Sequence, residues 1–119
     1  MKTHKDLDAW KNSISLVTDV YKLTSSFPKE EVYSLTSQIR RSAVSIPSNI
    51  AEGAGRNHKK EFIQYLYIAL GSMSELETQM LIACNLEYVP EKVLVDFNER
   101  IKIISNQILG LIKYLKNKS

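Results

Sequence analysis

Between positions 62 and 83 apolar residues recur at alternating four- and three-residue spacing, through Phe62, Leu66, Ala69, Met73, Leu76, Met80 and Ala83. That spacing draws an unbroken stripe down one face of an α-helix, and no period-two pattern competes with it anywhere in the chain. A stripe of this length must be covered, and the rest of the chain supplies three more like it. Leu7, Trp10, Ile14, Val17 and Tyr21 line a first helix over about 6–26, stopped by Phe27-Pro28. A second, over about 29–53, opens behind Pro28 with Glu30 and Glu31 in its first turn and carries Val32, Leu35, Ile39, Ala43, Ile46 and Ile50. The striped helix itself spans about 58–87. The last, about 90–117, places Leu94, Phe97, Ile101, Ile104, Ile108, Leu111 and Leu115 on one face and ends in lysines that suit the helix dipole. Connections this short allow only antiparallel neighbours, so the sequence predicts one all-α domain over 1–119, an antiparallel up-down-up-down four-helix bundle. A chain of 119 residues is long enough to bury a core of its own.

Some positions refine this picture. Pro47 falls inside the second stripe and is expected to kink the helix there, since it removes a backbone donor and crowds the preceding turn. Gly53-Ala54-Gly55 is expected to end that helix in a left-handed cap. In the last helix Val93, Ile103, Leu109 and Ile112 widen the apolar arc beyond one seam, which either sits deeper in its own core or meets another subunit.

Most catalytic chemistry has no foothold. With histidines only at 4 and 58, the chain cannot build a Glu-x-x-His di-iron site, and no metal or cofactor is expected. Cys84 lies beside the Ala83 stripe with no His or Lys within a turn, which reads as a small buried hydrophobe rather than a nucleophile. The two glycines at 53 and 55 follow no strand and precede no Gly-Lys-Ser, so a phosphate loop is ruled out. Glu75 and Glu77 point in different directions on one helix. Ser72, three residues before Glu75, makes an inter-helix hydrogen-bond network with the second helix the simpler reading of that pair. No catalytic residue is assigned, and a non-enzymatic protein is expected. No stretch reaches the roughly 20 apolar residues of a membrane span, and the N-terminal residues carry no signal-like run, so a cytoplasmic protein is the expectation.

Charge is the remaining lead. The net +3 is modest, but positions 38–60 hold Arg40, Arg41, Arg56, Lys59 and Lys60 against Glu52 alone. Positions 75–99 hold six carboxylates against Lys92. Antiparallel geometry would bring Arg56, Lys59 and Lys60 to the same end as Lys2, Lys5, Lys113, Lys116 and Lys118. Such an end can bind RNA or DNA through phosphates, or can be a solvated basic surface with no partner. Tyr65 and Tyr67 are the only aromatics near this cluster, which favours phosphate contact over base stacking.

The run Phe27-Pro28, Glu31 to Leu35, Gln38 to Ala43, Ser45 to Gly53, Gly71-Ser72 and Glu75 to Gln79 resembles the bacterial four-helix bundle proteins first noted in intervening sequences of 23S rRNA genes, with Leu7 and Trp10 fitting its opening. That family is similar to the accessory variability protein of diversity-generating retroelements, a pentameric barrel that binds nucleic acid and partners a reverse transcriptase. The resemblance therefore implies a homopentamer, Arg40 and Arg41 on a basic surface, and Asn49, Glu52 and Gly53 as helix-terminating and polar-packing elements, with Pro47 part of the same structural motif. It also opens a ribosome-associated role. A rival reading remains: a structural or protein-interaction module that assembles subunits or recruits an enzyme without touching nucleic acid.

Overall fold

The computed structural model describes residues 3–118; Lys2 lies outside them. A 3-10 turn at His4–Asp6, capped by the Thr3 side chain, leads into α1 (Asp8–Thr24). A second 3-10 turn at Lys29–Glu31 precedes α2 (Leu35–Ala54), followed by α3 (Lys59–Asn85) and α4 (Glu91–Asn117). Each helix touches its two neighbours in the cycle α1, α2, α3, α4, and no diagonal pair of described residues comes within 8 Å between Cα atoms. The result is the four-helix bundle, drawn out to 49 × 25 × 19 Å. Its radius of gyration of 14.9 Å exceeds the ~13.5 Å of a compact chain of this length. No helix is long and apolar enough to cross a membrane.

The α3 stripe is buried at all seven of its positions. Along α4 the stripe is buried or partly so throughout, with Ile112 joining the core while Ile103 and Leu109 stay exposed. Two helices depart from expectation. The first part of the second stripe does not continue the helix: after Glu31 the chain turns through 32–34, Ser34 is non-helical (φ −129°, ψ −109°), and Val32 is left exposed. In α1 the buried seam is Ala9, Ser13, Leu16, Val20 and Thr24. Each of the first four lies one position before a residue of the expected stripe, so the helix is rolled by about 100°. Ile14 and Tyr21 are consequently exposed, and Trp10 and Val17 only partly buried. The buried hydroxyls tolerate this because each has an acceptor on its own helix, Ser13 on the Trp10 carbonyl at 2.8 Å and Thr24 on the Val20 carbonyl at 2.8 Å.

Pro47 is buried in the middle of α2, which runs through it unbroken. No left-handed cap ends this helix, since no glycine has positive φ and Gly55 sits at φ −80°, ψ −7°. The left-handed residue is instead Glu87, at φ 66°. There the Tyr88 amide donates to the Ala83 carbonyl (2.9 Å) and the Glu87 amide to that of Cys84 (2.9 Å), a Schellman closure of α3 built without glycine. Glu87→Gly should therefore raise stability by about 0.5–1 kcal/mol, read as a higher urea midpoint. At the same end the Tyr88 hydroxyl donates to Glu31 Oε2 (2.9 Å) and its ring meets Phe27 at 5.4 Å, tying the α1–α2 and α3–α4 connections together. That hydrogen bond, with burial, raises the Tyr88 pKa above its usual value.

Candidate nucleic-acid interface

Antiparallel packing collects one end of α1, the end of α2, the start of α3 and the end of α4. Lys5, Lys11, Lys59, Lys60, Lys113, Lys116 and Lys118 all lie exposed within about two turns of that end, and none forms an ion pair among the described residues. Several are nonetheless held in place. Lys59 Nζ donates to the Lys118 carbonyl, which ties the start of α3 to the end of α4. Lys116 donates to the Tyr67 hydroxyl (3.1 Å) and lies 5.4 Å from the centre of that ring, while Lys118 stands 5.7 Å from Tyr114. The amino end of α3 adds its own positive potential, since the His58 side chain makes no capping bond.

Arg56 belongs to this end but is already matched. Its Nη2 lies 3.0 Å from Glu52 and donates to the Tyr65 hydroxyl at 2.8 Å, and its Nη1 is 3.7 Å from Glu61. Tyr65 first, then the two carboxylates, raise the guanidinium pKa. Glu52 thus serves as the partner of Arg56. The lysines are the uncompensated charge.

Arg40 and Arg41 are not part of the cluster. They sit sixteen and fifteen residues before Arg56 on α2, about 22–24 Å along the helix. Arg40 is occupied structurally: Nε donates to Thr24 Oγ1 (2.8 Å), Nη2 to the Tyr21 carbonyl (3.3 Å), and its guanidinium lies 4.6 Å from the centre of the Tyr21 ring. It caps the carboxyl end of α1, where a cation meets unpaired carbonyls. Arg41 is exposed.

The polar network exists, but Glu75 is not in it. Asn49 Nδ2 donates to Ser45 Oγ (2.8 Å) and to the Ser45 carbonyl (2.7 Å), Ser45 Oγ meets Ser72 Oγ at 2.8 Å, and Ser72 Oγ reaches the Ile68 carbonyl at 3.3 Å. Glu75 is exposed, lying about a sixth of a turn round α3 from Ser72. Gly53 has a role other than helix termination, since a Cβ there would fall 2.7 Å from Tyr65 Cβ and 3.0 Å from Phe62 Cδ1. Sequence reading missed Ser45 in this network, although its spacing of four from Asn49 was a usable signal. Tyr114 beside Lys118 was also missed, being visible only once α4 is wound.

The family model of the 23S rRNA-intervening sequence protein matches residues 5–110 of the chain. No curated protein sequence matches it. Among solved structures, the chain is similar to a Bacteroides thetaiotaomicron protein with unknown function from the S23 ribosomal protein family, with a TM-score of 0.78 at 24% identity over 88% of this chain and 98% of that one. That likeness supports the bundle fold.

Proposed function

Because the chain belongs to the 23S rRNA-intervening sequence protein family, we propose that it acts without catalysis, as an oligomer whose lysine-rich end grips the phosphate backbone of RNA or DNA. The observation that carries this reading is the set of seven exposed lysines at one end of the bundle with no ion-pair partner among the described residues. Ammonium groups on flexible stems suit phosphate neutralisation rather than base readout. If four phosphates are engaged, the log-log salt slope is about −3.6 and affinity falls roughly 100-fold between 50 and 200 mM salt. The test is titration of labelled 23S rRNA fragments and duplex DNA at both salt concentrations, with the mass in solution recorded in the same buffers. A linear, steep slope supports the reading; no binding at low salt rejects it.

A second reading is favoured by the apolar side chains that the roll of α1 leaves outside the core, Ile14 and Tyr21 among them. In it the bundle is an assembly module, a homopentamer by resemblance, that recruits a protein such as a reverse transcriptase. An oligomer that ignores nucleic acid at low salt would support it.

A further inference from the structure

The lysine-rich end carries one aromatic ring that the bundle does not use. Tyr114, in the last turn of α4, is 59% exposed, and its hydroxyl makes no hydrogen bond among the described residues. The two other tyrosines nearby are engaged. The Tyr65 ring lies 5.1 Å from the Arg56 guanidinium and its hydroxyl accepts from that group, while the Tyr67 hydroxyl accepts from Lys116. Tyr114 lines a groove of about 430 Å³ with Gly110, Lys113, Asn117 and Lys118. A helical side chain leans toward the turn before its own, so the Tyr114 ring lies along this groove toward Gly110. There an added Cβ would meet nothing within 4 Å, which leaves open space beside the ring.

The charge around the ring is of one sign. No carboxylate follows Glu99 in the sequence, whereas Lys113, Lys116 and Lys118 crowd the end of α4. Lys118 stands 5.7 Å from the centre of the Tyr114 ring. Going round α4 from Lys116, Lys113 comes at about 60°, Asn117 at about 100° and Tyr114 at about 160°. The ring is thus the far edge of a basic surface that wraps half of the helix end. A duplex offers such a surface its phosphates alone, because its base faces are stacked on one another. A single strand offers phosphates and free base faces together, and an aromatic ring set among cations is suited to hold both.

We propose that Tyr114 is a stacking platform and that the ligand of the lysine-rich end is a single strand of RNA or DNA, with one unpaired base on the Tyr114 ring above Gly110 and its neighbouring phosphates on Lys113, Lys116 and Lys118. The proposal rests on the nucleic-acid reading above and names the form of its ligand. Stacking adds affinity without sequence readout, since every base has a π-face. A duplex is still held by the lysines, but the ring contributes nothing to it.

Fluorescence anisotropy at about 50 mM salt tests it with labelled oligo(U), oligo(dT), an abasic strand of the same length and a DNA duplex. Tyr114→Ala should weaken binding of the base-bearing strands by about 5- to 150-fold, while the abasic strand, the duplex and the log-log salt slope stay as in the wild type, because no phosphate contact is removed. A loss on oligo(U) or on oligo(dT) alone assigns the site to RNA or to DNA. Gly110→Leu, whose side chain packs on the ring one turn away, should cause the same loss, and Tyr114→Phe, which keeps the ring, should bind like the wild type. Both altered positions are exposed, and the melting temperature of each variant checks that it is folded. Tyr114→Ala binding single strands as the wild type does, or losing the duplex equally, overturns the stacking site alone. A wild-type protein that binds none of the four probes overturns the phosphate reading with it.

Discussion

Gly53→Ala should cost about 1–3 kcal/mol, a loss read as a lower urea midpoint at unchanged slope. The sign matters, because alanine in place of glycine inside an α-helix ordinarily gains up to about 1 kcal/mol. At Gly53 that gain is overrun by contact: the new methyl would lie 2.7 Å from Tyr65 Cβ, 3.0 Å from Phe62 Cδ1 and 3.3 Å from the Phe62 carbonyl oxygen. A Cβ and a carbonyl are fixed to the α3 backbone and cannot swing aside, so α2 and α3 must separate at this contact. Gly71 and Gly110 provide the controls. Each sits inside a helix where an added methyl would meet nothing within 4 Å, and Gly71→Ala and Gly110→Ala should each stabilise the protein. A Gly53→Ala protein as stable as those two would show that the close approach contributes nothing.

Reversing Lys59, Lys60 and Lys116 to Glu together should weaken binding to duplex DNA or rRNA fragments at least 100-fold at 50 mM salt and flatten the log-log salt slope by about 2.7. The loss has two parts, three removed phosphate contacts and three new repulsions. Lys92→Glu is the comparison: it is exposed at the start of α4, about 36 Å along that helix from Lys116, and should leave the salt slope unchanged. Equal effects from both sets would place the contact surface elsewhere. Folding is not at risk in the triple variant, since the three lysines are exposed and make only the surface hydrogen bonds to the Lys118 carbonyl and the Tyr67 hydroxyl.

The candidate site was half visible in one dimension. Lys59, Lys60, Lys113, Lys116 and Lys118 meet at one end because the antiparallel order of the helices follows from short connections. Arg40, Arg41 and Arg56 looked like members of the same cluster because a charge count over 38–60 ignores the length of the helix between them. Once wound, that helix separates Arg41 from Arg56, and neighbours divide the arginines further: Arg40 goes to the carboxyl end of α1 and Arg56 to Glu52 and Glu61. Glu75 failed as a network member for a related reason. Its three-residue spacing from Ser72 is right for one helix face, but only Ser72 lies on the side that α2 approaches.

Local periodicity settled the number of helices and the whole buried face of α3, because a stripe of seven apolar positions has only one side that water must leave. The roll of α1 was beyond it. That helix carries two adjacent apolar faces, and which one turns inward depends on how closely α2 and α4 can approach small residues such as Ala9 and Ser13. Gly53 is the same case: its missing side chain is informative only when Tyr65 and Phe62 of another helix arrive beside it. Periodicity is a property of one helix, whereas roll, close approach and the sharing of charges belong to pairs of helices, and only the assembled bundle brings those pairs together.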